Sequence, residues 1–571
     1  MHGKRMGTLL GLMGAVWLAA CGGSEALEEA PPSTQEQALA PVTLPIRINS
    51  GGGAFTDTYG RLWQADTAYS GGQAFQTTAP IAGTENDGLY QSLRIGDGVS
   101  YSIPVPGPGI YTVQFLLIEP EPSPQAVRRM QVLAEYETHV YDYRDLVTPL
   151  RAYTLSFDVP VRDGHLNLWL RAIPGSPPPG VSAVEVTDSR WKWLGGSPQL
   201  SGQFNSRAPQ LAVDGTNQPV VAWEDDSLNN ILVSRWTGST WQQLGDAPGG
   251  NSSSRPVLLM DAAGSPMVAF VELRPFPAVT SVRMRRWSGV AWSEVGDALG
   301  LEDYEAQSVA ATLDNQGRPL VAVVFAGYNV TDSRLHVYRF NGLAWEQVGD
   351  ALASLGPTAW DGSLRNPSIA VDRFDRIVVA WDESYWRGDL KGKMFTHVFR
   401  RSGSQWLRVG TKVPDDSATL SQVPSLALAP DGTPWVAYVS NGIVGVVREQ
   451  NGAWAATPTA GLKGWGAATL HDVPPLLRMD GAGVPTVLLI SRAPDARAGR
   501  FLRKWNGSAW VPVMSRVGPF DTSPFIESIR HGLRSDMGFA FNKSGHFLVA
   551  MPEDTPSGAS HGPLRVRTFT P

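Results

Sequence analysis

DGTNQPVVAWEDDSLNNILVSRWTGSTWQQLG, residues 214–245, carries the grammar of most of this chain. It opens on a turn of the kind D-x-x-G-x-P, in which an aspartate bonds the backbone ahead of it and a residue tolerant of positive φ closes the bend. Apolar runs of four to six residues flank the turn, PQLAV (209–213) and VVAW (220–223). They are too short for helices and rich in β-branched residues, so they read as strands. A third strand, ILVSRW (231–236), leads through a G-x-x-W turn into a fourth strand that begins at Trp241.

The same phrases return down the chain. The turn recurs at Asp261, Asp314 and Asp480, with weaker copies at Asp372, Ala429 and Asn542. The tryptophan signature W-x-x-[L/V]-G starts at Trp191, Trp241, Trp292, Trp345 and Trp406, and degenerate copies start at Trp454 and Trp510. Four antiparallel strands in each unit of about fifty residues make the blade of a β-propeller. The chain enters the array on a tryptophan strand (RWKWLGG, 190–196) and leaves it on a third-strand phrase (RVRTFTP, 565–571). Pairing those two segments would complete a seventh blade and remove two open sheet edges. The expected fold is therefore all-β, with a seven-bladed β-propeller over residues 189–571 and no amphipathic helix within it.

The formal net charge is −6, and −8 without Lys4 and Arg5 of the leader, with no basic cluster along the chain. That balance argues against a nucleic-acid partner. Residues 1–20 have a basic start and an apolar stretch from Met6 to Ala20, too short for a bilayer span of about 20 residues and suited to a secretory signal. The stretch ends in Leu18-Ala19-Ala20-Cys21, and Cys21 is the one cysteine of the sequence. This resembles the lipobox of bacterial lipoproteins. The resemblance implies lipidation of Cys21, a membrane anchor, and a place in the cell envelope, at the outer membrane or the cell surface. Residues 21–44, polar, acidic and Pro-containing, would then be a flexible tether reaching roughly 25 Å. The alternative is an ordinary signal peptide cleaved near Ala38-Leu39-Ala40.

Residues 45–188 follow a different grammar. Three phrases stand out: RINSGGGAFTDTYGRLWQADTAYSGG (47–72), IAGTENDGLYQSLRIGDGVSYSIPVPGPGIYTVQFLLIE (81–119) and GHLNLWLRAIPGSPPPGVSAVEV (164–186). Strand-length apolar runs separated by Gly, Pro and Asp turns suit a β-sandwich. In their order, the three phrases resemble a malectin domain. The resemblance implies a sandwich that binds glucose-containing oligosaccharides through aromatic side chains and an acidic residue at one end. Carried onto this chain, it places one aromatic in the loop from Tyr69 to Phe75. A second family tyrosine is replaced by Ile95, an aromatic pair by Glu119-Pro120, and the acid-bearing segment by PGSPPPG (174–180), which has no acid. Tyr69, Phe75, Arg94 and Glu119 are the candidate sugar contacts, while Tyr90 and Tyr101 read as core.

Within the repeats, one position just past the second strand holds Asp225, Glu272, Phe325, Glu383, Ser440, Ser491 and Glu553. The four carboxylates, Asp225, Glu272, Glu383 and Glu553, could gather into a negative rim; the simpler reading is that strand ends are solvated and acids are common there. The signature tryptophans sit at a fixed repeat position, which predicts wedging between blades. Trp360 and Trp386, outside that position, are better candidates for exposed sugar contact. No histidine spacing suits a metal, no nucleophile elbow is present, and no cofactor is implied. The expected function is non-catalytic carbohydrate binding, of a glycan or polysaccharide, at the envelope. The alternatives are a scaffold for an envelope protein partner and a cryptic glycoside hydrolase or lyase seated in the propeller.

Overall fold

The computed structural model describes residues 42–122, 124, 128–135, 137–142, 148–199, 206–250, 252–275, 278–327, 332–356, 362–385, 391–413, 421–440, 443–459, 462, 475–492, 498–514, 537–554 and 561–569. Almost all regular structure there is β, with one helical turn at Asp87–Tyr90. Cys21, Trp360 and Trp386 lie outside the described residues, as does the side chain of Glu553.

Residues 46–188 form a sandwich. A six-stranded sheet runs in the order Tyr153–Val161, Gly109–Leu117, Ala183–Asp188, Ile46–Asn49, Leu62–Ala65, Phe55–Thr56. It faces a five-stranded sheet in the order Glu137–Asp142, Arg129–Ala134, His165–Ala172, Val99–Pro104, Tyr69–Ser70. Val113, Phe115 and Leu117 from one sheet and Tyr101, Val132 and Leu168 from the other share one core. A small third sheet, Gly180–Val181, Ser92–Ile95 and Gln73–Gln76, lies beside them.

From residue 191 onward, seven antiparallel sheets follow in chain order among the described residues. Sheet 1 is Ser206–Val213, Pro219–Asp225, Asn230–Trp236 and Trp241–Gln243; sheets 2, 3 and 6 begin at Ser253, Tyr304 and Leu476. Sheet 4 is Gly362–Val371, Ile377–Tyr385, Met394–Ser402 and Gln405–Arg408, and sheet 5 is Ser421–Leu428, Pro434–Ser440, Ile443–Gln450 and Ala453–Ala456. Sheet 7 takes three strands from Gly538 onward, and its fourth is Trp191–Trp193, with Trp191 opposite Phe569 and Trp193 opposite Arg567.

Between neighbouring sheets lies a layer of buried apolar side chains. One layer joins Val220, Ala222 and Val233 of sheet 1 to Val268 and Phe270 of sheet 2. The last joins Trp223 and Trp236 of sheet 1 to Ala550, Leu564 and Val566 of sheet 7, so the array returns on itself. The sandwich touches this array through Ile110, which packs with Phe547 and Phe569.

The repeated phrases now have physical reasons. The fourth turn position is left-handed in every sheet: Asn217, Gly264, Gly317, Asp375, Gly432, Gly483 and Gly545 all have φ between 60 and 87°. The turn aspartate accepts backbone N–H groups, as Asp214 does from Thr216 and Gln218, both at 2.9 Å. It also pairs with a cation on the third strand: Arg235 with Asp214, Arg286 with Asp261, Arg339 with Asp314, Lys504 with Asp480.

The tryptophan signature is an inter-sheet clamp. Trp241 Nε1 donates to Leu194 O at 2.7 Å, Trp292 Nε1 to Leu244 O at 2.7 Å and Trp345 Nε1 to Val295 O at 3.0 Å. The glycine after that Leu or Val has positive φ, and a Cβ on Gly245 or Gly296 would meet an indole of the next sheet at 2.8 or 2.7 Å. Even the degenerate copy at Trp454 keeps the clamp, for its Thr457 offers Oγ1 to Trp510 Nε1 at 2.9 Å.

Candidate functional site

The strand Tyr69–Ser70 ends in Gly71-Gly72, both left-handed (φ +77° and +63°). A Cβ on Gly71 would lie 2.9 Å from Gly98 O, and one on Gly72 would lie 2.5 Å from Val99 Cγ2, so side chains are excluded at this close approach. The tight bend sends the chain into Gln73–Gln76, an edge strand exposed along its whole length. Tyr69 and Phe75 flank the bend with 42% and 37% of their surface open to solvent.

Beneath Tyr69 lies a charged core. Arg94 is only 6% exposed, and its Cζ sits 3.4 Å from the centre of the Tyr69 ring. Its Nε donates to Asp66 Oδ2 at 2.5 Å and its Nη1 to Gly72 O at 3.3 Å. The same Asp66 accepts Gly51 N at 2.6 Å and the Tyr101 hydroxyl at 3.2 Å. The Tyr101 oxygen in turn accepts from the Ser50 hydroxyl, with the two oxygens 2.9 Å apart. Burial first, then the neighbouring Asp66 charge, pushes the Tyr101 phenol well above its ordinary range. Tyr101 therefore packs in the core, as the sequence suggested, and its hydroxyl also helps hold Asp66. With its charge matched from below, Arg94 fixes the Tyr69 ring as a rigid face, since a cation near an aromatic ring is attracted by the ring quadrupole.

Of the four sequence candidates in the sandwich, Tyr69 and Arg94 come together here, while Phe75, opposite Leu93 in the ladder, lies on the other face of its strand from Ala74, the partner of Arg94. Glu119 is corrected: it is buried in an ion pair, with Arg128 Nε at 3.1 Å and Nη2 at 3.2 Å, and Arg128 also donates to Pro178 O. Glu119 thus fastens the PGSPPPG segment and is not open to a ligand. Asp66 is the residue that sequence reasoning missed. It lies 28 positions from Arg94 with no motif joining the two.

The carboxylate rim is also corrected. Asp225, Glu272 and Glu383 are all buried, neither gathered into an open charged rim nor solvated at free strand ends. Asp225 Oδ1 accepts Ser227 N at 3.0 Å and Leu228 N at 3.2 Å. Glu272 pairs with Arg283 Nε at 2.7 Å. Glu383 accepts Ser354 Oγ at 2.5 Å and Leu355 N at 2.8 Å. Glu383 thereby ties down the chain that arrives from the preceding sheet, Glu272 also accepts Gly250 N of such a segment at 3.3 Å, and Asp225 instead ties the turn that follows its own strand. Phe325, at the same position in sheet 3, is buried against His336, with ring centres 5.6 Å apart.

Sheet 4 holds a dense polar cluster beside Glu383. Asp382 accepts Thr396 Oγ1 at 2.8 Å, Asn366 Nδ2 at 3.2 Å, and the backbone N–H of Val423 in sheet 5. Val423 is left-handed (φ 54°), one of four such residues at bulges of the innermost strands, with Ala208, Arg255 and Asn366. Burial lifts the Asp382 carboxyl to about 7. His397 is held down to about 3, by burial first and then by the Arg408 and Lys412 charges. Its Nδ1 faces Arg408 Nη2 at 3.2 Å and its Nε2 faces Tyr385 OH at 3.0 Å. Since a guanidinium only donates, the neutral ring carries its proton on Nε2.

Among the described residues no cluster of His, Cys, Asp and Glu has metal-holding geometry, and no helix is long and apolar enough to cross a membrane. No curated protein matches the chain in sequence. Among solved structures, it is similar to an unknown function protein from Dyadobacter fermentans (14% identity, 65% of this chain and 96% of that one, TM-score 0.35). It is similar to Penicillium chrysogenum α-L-arabinanase complexed with arabinobiose (11%, 56% and 93%, TM-score 0.36). It is also similar to Bacteroides uniformis β-glucuronidase (16%, TM-score 0.23), where it covers 25% of this chain and spans 18% of that one's length. Residues 44–170 match the malectin domain family.

Proposed function

We propose that the chain is a non-catalytic carbohydrate-binding protein of the cell envelope, held to a membrane by a lipid on Cys21. In this reading residues 21–44 are the tether, 45–188 the sugar-binding sandwich, and 189–571 a closed propeller of seven blades. The observation that carries it is the exposed ring of Tyr69, fixed at a double-glycine bend over the buried Arg94–Asp66 pair, with the exposed Phe75 on the edge strand beyond the bend. Flat aromatic surface that is held rigid loses little conformational freedom when a sugar ring stacks on it. The malectin match over residues 44–170 supports the same reading.

A glycan array probed with the full chain tests it. Saturable binding to defined glycans is expected, weakened about tenfold or more by Phe75→Ala or Tyr69→Ala, which remove stacking worth about 1.4 kcal/mol or more. Binding unchanged in both variants would refute the site, and a blank array would refute the function. Cys21→Ser should move the protein from the membrane fraction to the soluble one; a wild-type chain without lipid would refute the anchor.

A further inference from the structure

The short strand Leu62–Ala65 has an aspartate at each end, Asp57 in the hairpin turn before it and Asp66 directly after it. Asp66 holds Arg94 beneath the Tyr69 ring. Asp57 makes the same arrangement out of residues close by in sequence. Its Oδ2 accepts Arg61 Nε at 2.6 Å and the indole Nε1 of the buried Trp63 at 3.1 Å. Its Oδ1 accepts Tyr59 N at 3.0 Å and Arg61 N at 2.9 Å. The Arg61 guanidinium then lies over the Tyr59 ring, with Cζ 5.1 Å from its centre.

Tyr59 is 72% exposed, against 42% for Tyr69, so this stack stands open to solvent. Leu62, also exposed, adds apolar surface just after the turn. Neither residue belongs to an apolar cluster of the sandwich, so fixing this ring serves no core. The turn that carries it is tightly held. Gly60 N donates to Asp57 O at 2.9 Å, Asp57 N to Arg61 O at 3.0 Å, and Thr58 N to Asn86 Oδ1 at 2.7 Å. Burial alone would raise the Asp57 carboxyl, but the hydrogen bonds from Trp63 and Arg61 and the Arg61 charge bring it down to about 2. The ion pair under the ring therefore persists at neutral pH.

We infer that Tyr59 is a second sugar-stacking platform, which takes one ring of a neutral oligosaccharide. A tyrosine offers broad apolar area and a polar tip at little conformational cost. The guanidinium attracted to its ring restrains it further, so less freedom is lost when a ligand stacks. The ligand class is neutral because Asp57 already matches the Arg61 charge, leaving no unmatched cation to select an acid. That the ligand is a sugar rests on the reading of Tyr69 as a sugar platform, since the two stacks share one construction. The four-residue strand between the stacks is about 13 Å long, so a single sugar ring does not reach both.

Fluorine NMR of the full chain labelled with meta-fluorotyrosine reads the two platforms separately, their resonances assigned through Tyr59→Phe and Tyr69→Phe. Maltohexaose, cellohexaose and laminarihexaose are the neutral probes, and hexagalacturonate is the acidic one. The Tyr59 resonance should move saturably with at least one neutral probe and stay still with hexagalacturonate. Tyr69→Ala should leave that titration unchanged. Arg61→Gln, at a side chain 41% exposed, should fold and raise the half-saturating concentration about threefold or more by freeing the ring. A shift at Tyr59 without one at Tyr69 would support this platform and refute the Tyr69 site. A shift at Tyr69 without one at Tyr59 would overturn this platform alone. No saturable shift of Tyr59, an equal shift with hexagalacturonate, or wild-type half-saturation in Arg61→Gln would each overturn the assignment.

Discussion

Asp382 shows how much one side chain is asked to do where two sheets meet. Its carboxyl joins Thr396 of its own sheet to the left-handed Val423 of the next, with no solvent exposure to ease the charge. An ordinary carboxyl near 3.8 is lifted by that burial to about 7. Between those values the folded chain keeps a proton that the unfolded chain has released. The contribution of Asp382 to stability is therefore present below 3.8 and lost as pH rises to about 7. His397 runs the other way: with its folded value near 3, its contribution is present above 6.5 and lost as pH falls. Asp382→Asn keeps the shape and removes the ionisation. Its melting temperature relative to wild type should rise on going from about pH 5 to about pH 8; a difference that stays flat or falls would show that Asp382 is ionised in the fold throughout. This behaviour could not be read from WDE (381–383), because sequence locates a strand end and says nothing of Ser354, Leu355 and Val423 closing over it. Asp225 and Glu272 were misjudged for the same reason.

At the scale of the element, the tryptophan strand is a clamp rather than a sugar platform. Its position was legible because the same need recurs along the chain: at Trp241, Trp292 and Trp345 an indole N–H must meet a carbonyl of the sheet before it, and the glycine there must leave room for a ring. Trp292→Phe keeps an aromatic but removes the donor, leaving Leu244 O without its partner. A loss of about 1–3 kcal/mol in unfolding free energy is expected by denaturant titration. Gly245→Ala, which adds strain at φ +61° to a contact 2.8 Å from the Trp287 ring, should be at least as damaging; wild-type stability in both would refute the clamp. Tyr69 and Phe75 were named through family resemblance as candidates, and Asp66, whose partner Arg94 is far away in sequence, was not.

Across the whole molecule, the closing pair of strands was the most legible long-range contact, since a spare tryptophan strand at one end and a missing one at the other define each other. Leu564 and Val566 of that last sheet pack on Trp223 and Trp236 of sheet 1, and Phe569 packs with Ile110 of the sandwich. Removing residues 555–571 would unpair Trp191–Trp193 and open both layers. Such a chain should lose its single melting transition and self-associate in size-exclusion chromatography through the bare edges. A monomer melting as wild type would show that closure adds nothing.

The pairing of Trp191 with Phe569 also sets a timetable. A ribosome adding about 5–20 residues each second would deliver the second partner roughly 20 to 75 seconds after the first. Throughout that interval the finished sheet 1 has Trp223, Trp236 and Trp241 facing a neighbour that has not yet been made. The newborn chain is stickiest along that flank. The order in which its strands emerge makes it a client for any chaperone that shields aromatic surface until the last strand arrives.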